Sequence, residues 1–136
     1  MSETPAAPYP EIDEANRFFW TAGETGALKF LRCQVCRAFV HPPAPRCRAC
    51  LGEALAPEAV SGRATVEAYT INHHPWHPAF PPPYVVAIVS IEEDPGVRLT
   101  TNIVDCAPEA VRMGLAVQAQ FRQAGPAWLP VFAPRG

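Results

Sequence analysis

Two pairs of cysteines decide what the first half of this chain can become. They read Cys33-x2-Cys36 and Cys47-x2-Cys50, with ten residues between the pairs. Each pair can close a tight knuckle that turns two thiolates toward one ion, and two matched knuckles complete a tetrahedral site. Four thiolates suit zinc, and an iron site can use the same ligands. Protein ligands fill every position, so such a site leaves no place for water or substrate and is structural. Its binding free energy, on the order of 10 kcal/mol in small zinc peptides, becomes folding energy for the segment. The plain alternative is four unrelated buried cysteines. Gly52 is expected to relieve the turn after the second pair, and Arg37 stands where many ribbons carry glycine.

The compartment supports ligation over disulfides. The N-terminus, MSETPAAPYPEIDE, has no basic start followed by an apolar run. No apolar stretch approaches the roughly 20 residues that cross a bilayer. A cytoplasmic protein is expected, in which thiols stay reduced.

The rest of the chain divides around the ribbon. Residues 1–10 read as a disordered lead-in. EIDEANRFFWTA, residues 11–22, has Ile12, Ala15, Phe19 and Ala22 at helical spacing with acidic residues in the first turn. Phe18, Phe19 and Trp20 make this helix too apolar to stand free; it packs on its own domain or docks a partner. Gly23 and Gly26 end it. Residues 28–52 are the cysteine segment, and residues 53–60 link it onward. From Ser61 the pattern alternates. GRATVEAYTI, YVVAIVSIEE, VRLTTNIVD, VQAQFRQ and WLPVF read as five short strands, with a turn at Asp94-Pro95-Gly96 and a short helical piece in APEAVRMG. Pro130 places the last strand at an edge. The protein is mostly β: residues 1–27 a tail and helix, 28–54 a zinc ribbon, 55–136 a five-stranded Greek-key barrel of the OB type. A five-stranded open sandwich would give much the same pattern.

Between the first two barrel strands lies NHHPWHPAFPPPY, residues 72–84, with three histidines and five prolines. It is not the HExxH of a catalytic zinc helix, and Pro75 and Pro78 forbid one. The prolines make a stiff loop. It presents Trp76, Phe80 and Tyr84 beside His73, His74 and His77, at a rim where OB barrels commonly take ligands. The expectation is a rigid contact loop and not a metal centre; the alternative is that Trp76 and Phe80 fold back over the barrel mouth. Cys106 follows Asp105 and is expected to be a small half-buried residue. The chain has no G-x-S-x-G and no phosphate-cradling glycine loop. Its net charge of −2 and single lysine, Lys29, argue against a general nucleic-acid binder.

Several stretches together resemble a known family. FFWTAGETGALKFLRC, CQVCRAFVHPPAPRCRAC, VSGRATVEAYTINHHPWHPAF and PYVVAIVSIEEDPGVRLTTNIVDC followed by VRMGLAV are similar to the acyl-CoA-associated OB-fold proteins with a rubredoxin-like zinc ribbon, known as domain of unknown function thirty-five. The resemblance covers about residues 11–133 and departs at Arg37 and at Pro81-Pro82-Pro83. It implies a non-catalytic accessory subunit in lipid metabolism. The implied partners are thiolases, hydroxymethylglutaryl-CoA synthases, acyltransferases, or the thiolase-fold aldolase that performs a retro-aldol cleavage in steroid side-chain degradation. The partner would carry the catalytic residues. This chain would add structure and part of the CoA passage, in a hetero-oligomer that is two-plus-two by analogy, with no membrane and no nucleic acid. Zinc would sit on Cys33, Cys36, Cys47 and Cys50, the structural ion of the ribbon, with iron as the other candidate. CoA or partner contacts would come from Phe19, Trp20, Arg32, Arg37, Arg46, Arg48, His73, His74, Trp76, His77 and Phe80. Two other readings remain. A zinc-ribbon and OB module could bind single-stranded nucleic acid by stacking, or a lone enzyme could use the histidines with Cys106.

Overall fold

The computed structural model describes residues 7–135. Its strands form two sheets. A three-stranded antiparallel sheet has the order β2-β1-β3, with β1 over Leu28–Cys33, β2 over Phe39–Val40 and β3 over Leu55–Val60. A closed barrel has the order β4-β5-β6-β8-β7: Arg63–Asn72, Tyr84–Ile91, Asp94–Ile103, Ala127–Pro134 and Ala116–Ala124. β7 returns to pair with β4, and β6 meets β8 in parallel at the single register pair Ile103↔Phe132. This is the five-stranded Greek-key barrel of the OB type and excludes the open sandwich.

The alternating pattern explains the barrel. Val85, Ala87 and Val89 of β5 are buried with Val97, Leu99 and Ile103 of β6, while Val86, Ile88, Arg98 and Thr100 between them are more exposed. Phe132 of β8 is fully buried in the same core. Phe19, Leu28 and Phe30 join that cluster, so the N-terminal segment and β1 share the barrel's core.

Five details depart from the sequence reading. Residues 53–60 are not a simple linker, because Leu55–Val60 pairs with β1 along its whole length and belongs to the ribbon sheet. The α-helix, α1, spans only Arg17–Thr21. Upstream, the Asp13 and Asn16 side chains each accept the other's backbone N–H, at 2.9 and 2.8 Å, which competes with helical pairing. A 3-10 turn over Ala22–Thr25 follows α1 and ends at Gly26, whose φ is 77°. Gly23 serves a different purpose: a Cβ there would overlap the Phe121 ring and lie 2.8 Å from Trp128 Cβ. Asp94-Pro95-Gly96 begins β6, while Glu92 and Glu93 make the turn and a register shift between Ser90 and Ile91 absorbs it.

Pro130 is not on a free edge either. Its carbonyl accepts the Thr101 hydroxyl at 2.9 Å across the β6–β8 seam. A residue's N–H and C=O point to the same side of a strand, so the missing N–H of Pro130 faces the seam where the ladder is thinnest.

Candidate metal centre and contact surfaces

The two cysteine knuckles repeat one backbone pattern. Arg37 N–H donates to the Cys33 carbonyl at 3.1 Å, and Leu51 N–H donates to that of Cys47 at 2.8 Å. Cys33 N–H reaches Ala38 O, and Cys47 N–H reaches Gly52 O, both at 2.9 Å. The residue after each second cysteine is left-handed: φ is 67° at Arg37 and 63° at Leu51. The expected role of Gly52 therefore falls to Leu51. Gly52 instead keeps clear of the metal ligands, since a Cβ on it would stand 3.3 Å from Cys50 Sγ.

These knuckles bring all four sulfurs within 4.8 Å of one another. Cys33 Sγ lies 3.6 Å from Cys50 Sγ, and Cys36 Sγ lies 3.5 Å from Cys47 Sγ. Metal–thiolate bonds of about 2.3 Å in a tetrahedron place sulfurs about 3.8 Å apart, so the cage fits one ion. Cys33 and Cys47 are buried while Cys36 and Cys50 are exposed. N–H groups of Cys36 and Val35 lower the Cys33 pKa to about 6. Those of Cys50 and Ala49 lower Cys47 in the same way, against burial. The Ala38 N–H also favours a Cys36 thiolate, yet Cys47 beside it, together with desolvation and the other two thiols, pushes Cys36 up to about 11. The loops thus supply N–H donors for thiolates, and a central cation would relieve the crowding of like charge. These four cysteines can hold a metal ion.

Three of the four ribbon arginines are paired within the ribbon. Arg37 grips Glu58 with both carboxylate oxygens, at 2.7 and 2.9 Å. Arg32 reaches the same carboxylate at 3.4 Å and lies 4.4 Å over the Phe39 ring. Hydrogen bonding from Arg37, then its charge and that of Arg32, lowers the Glu58 pKa against desolvation. Arg46 pairs with Glu53 at 2.9 Å. Arg48 is exposed. The sequence put four cations on one patch; three of them are instead paired, Arg32 and Arg37 because β3 delivers Glu58 opposite β1, and Arg46 with Glu53 just before that strand.

Phe19 is likewise corrected as a surface contact. It is buried beside Phe30 and His41, with ring centroids 5.9 and 5.5 Å away. Trp20 remains half-buried against it. His41, missed by the sequence reading, sits edge-on to Phe30 at 4.9 Å, and burial lowers its pKa. Only its place in the run between the cysteine pairs could have suggested it.

The loop between β4 and β5 divides between the two readings given for it. Trp76 is 72% exposed. It is held there by its indole N–H on Asn72 Oδ1 at 3.0 Å and by the His74 ring at 4.2 Å. Phe80 turns inward toward Tyr84 and lies under the Arg122 guanidinium, 5.7 Å from its ring centre. A shallow cavity of about 180 Å³ lies there, lined by Phe80, Tyr84, Asn102 and Arg122. His77 Nδ1 accepts the Ala79 N–H at 3.0 Å, which makes it a loop brace. His73 is exposed. Cys106 is half-buried against the barrel core.

Comparison with known proteins agrees with this architecture. The family profile described as "ChsH2, C-terminal OB-fold domain" matches residues 57–122. A solved structure titled "Ltp2-ChsH2(DUF35) aldolase" superposes with a TM-score of 0.84 at 37% identity, covering 93% of this chain and 98% of that one. The chain belongs to the DUF35 family. It is also 39% identical over 128 residues to a probable enoyl-CoA hydratase alpha subunit of Thermomonospora curvata, covering 93% of this chain and 40% of that protein. The 3-oxo-4,17-pregnadiene-20-carboxyl-CoA hydratase alpha subunit of Mycobacterium tuberculosis is 29% identical, over 82% of this chain and 35% of its own length. The chain therefore spans well under half of these two curated relatives. No helix among the described residues is long and apolar enough to cross a membrane.

Proposed function

We propose that this DUF35 chain is a non-catalytic accessory subunit of a thiolase-fold acyl-CoA enzyme. The partner is a thiolase, an acyltransferase or, on the reading favoured here, a retro-aldolase of steroid side-chain degradation. The observation that carries this is the end-to-end match to the Ltp2-ChsH2(DUF35) aldolase, which pairs a DUF35 chain with a second protein by name. The mycobacterial relative is named for a steroid carboxyl-CoA, which supports the steroid choice. The chain's own groups fit the role. Four of its five thiols form a closed cage, and three of its four ribbon arginines are tied to carboxylates within the ribbon.

In this role the ribbon holds structural zinc, the thiolate cage being suited to it. The barrel and its aromatic loop face the partner and flank the passage of the CoA ester. The assembly is a hetero-oligomer of this chain with its enzyme, two of each by analogy. The test is reconstitution. The thiolase-fold enzyme that copurifies with this chain is assayed on steroid acyl-CoA esters, alone and with the chain added. The account expects activity or thermal stability of the enzyme to rise severalfold on addition, with no turnover by the chain alone. Turnover by the chain alone, lost in Cys106→Ala, would return the lone-enzyme reading.

A second reading, an oligonucleotide-binding module, draws on the exposed Trp76 at the rim where OB barrels bind single strands. It requires affinity that falls steeply with salt, which the same protein can be tested for directly.

A further inference from the structure

The four-thiolate cage is only half covered. Cys33 and Cys47 are buried, while Cys36 and Cys50 are exposed. Each exposed sulfur stands beside a buried one from the other knuckle. Cys36 Sγ is 3.5 Å from Cys47 Sγ, and Cys50 Sγ is 3.6 Å from Cys33 Sγ. Apolar side chains flank the two exposed thiols in sequence. Val35 precedes Cys36 and is 72% exposed; Leu51 follows Cys50 and is 67% exposed. Packing does not explain them, since neither belongs to the ribbon core or to the residues packed against it. Leu51 also takes a left-handed backbone, φ 63°, that glycine or asparagine adopts more readily.

Exposure and thiolate character together select which cysteines are oxidised. A cysteine that ligates a metal is deprotonated outright. The sulfenic acid formed first condenses with a neighbouring thiol when one lies within reach. Both exposed cysteines have such a neighbour, already placed and shielded from the oxidant by burial.

We propose that Cys36 and Cys50 are modification sites for an apolar organic hydroperoxide, and that Cys47 and Cys33 resolve them into disulfides that open the cage. The inference rests on the four-cysteine site and not on the accessory-subunit reading. Val35 and Leu51 hold the apolar part of the hydroperoxide. Cys36 Sγ attacks its terminal oxygen. An S–O bond forms as the O–O bond breaks, which leaves a sulfenic acid and an alkoxide that takes a proton from water. The Cys47 thiolate then attacks Cys36 Sγ; an S–S bond forms and hydroxide leaves. Two thiolates have lost two electrons, and the hydroperoxide has been reduced to an alcohol and hydroxide. Cys33 and Cys50 alone are too few ligands to retain the ion, and a second hydroperoxide joins them in the same way.

The experiment treats the zinc-loaded full chain with cumene hydroperoxide or hydrogen peroxide and follows zinc release with a chromophoric chelator. Each rate is normalised to that of free cysteine with the same peroxide. Zinc should leave as disulfides appear, and peptide maps should show Cys36–Cys47 and Cys33–Cys50. Dithiothreitol and added zinc should restore the cage. Cumene hydroperoxide should act about fourfold to fivefold faster than hydrogen peroxide after normalisation, the worth of roughly one methylene's contact. The double variant Val35→Thr with Leu51→Asn changes no ligand and no core residue. It should bind zinc as the wild type does and lose that preference. Zinc retained through the peroxide treatment would overturn the inference. So would disulfides within a knuckle, Cys33–Cys36 and Cys47–Cys50. Equal normalised rates for the two peroxides would overturn it by removing the apolar substrate. A folded chain that takes up no zinc would remove the site and the inference with it.

Discussion

The ribbon and the barrel reach stability by different routes. Among the described residues, the ribbon's own core has three buried members, Cys33, Val40 and Cys47, and two of these are candidate metal ligands. The cluster centred on the barrel has fifteen, dominated by Val, Ile, Leu and Phe, and three of them, Phe19, Leu28 and Phe30, come from α1 and β1. A short segment with so little apolar surface to bury needs a cross-link or an ion, whereas an alternating barrel does not. The difference teaches where each part is vulnerable: the ribbon to loss of ligands, the barrel to loss of volume.

Removing the metal should break the comparison open most widely. Chelation, or Cys47→Ser, is expected to cost the ribbon on the order of 10 kcal/mol of metal-linked folding energy. Hydrogen exchange should then show residues 33–58 losing protection while the strands β4–β8 keep theirs. Loss of protection in both regions together would mean that the two are one cooperative unit. The converse variant acts on the barrel. Phe132→Ala removes a fully buried ring and should destabilise by about 3–5 kcal/mol in urea melts, with the four-thiolate ion still bound.

The contact between the two regions can be sharpened with smaller changes. Gly23→Ala forces a methyl group into the Phe121 ring and the Trp128 Cβ, so about 1–3 kcal/mol of stability should be lost. His41 gives a pH signature. Burial lowers its folded-state pKa below 6.5, so the unfolded chain binds the proton more readily. Stability should therefore be fully present above pH 6.5 and fall as pH drops through the interval between 6.5 and the lower folded-state value. His41→Gln should flatten that part of the curve in thermal melts. A slope that persists would move the titration to another group.

The same contrast governs what was legible in the sequence. Ligand spacing announced the ribbon, and two-residue alternation announced all five barrel strands, because both are local patterns. β3 was not legible. LAPEAV has small residues and a proline, and it becomes a strand because β1 lies beside it. The contact residues fared unevenly for the same reason. Phe19 reads as a surface aromatic until Phe30 and His41 close over it. Arg32 and Arg37 read as anion ligands until β3 brings up Glu58, 26 and 21 residues away along the chain. Trp76 stayed exposed because its pinning partner, Asn72, is four residues away, within reach of a local reading.

The most direct test of the accessory-subunit account is a tagged pull-down from the native host, with bound proteins identified and quantified by mass spectrometry. The account predicts a thiolase-fold enzyme at near equal amount, retained at moderate salt. Recovery of nucleic acid alone, or of the chain by itself, would contradict it.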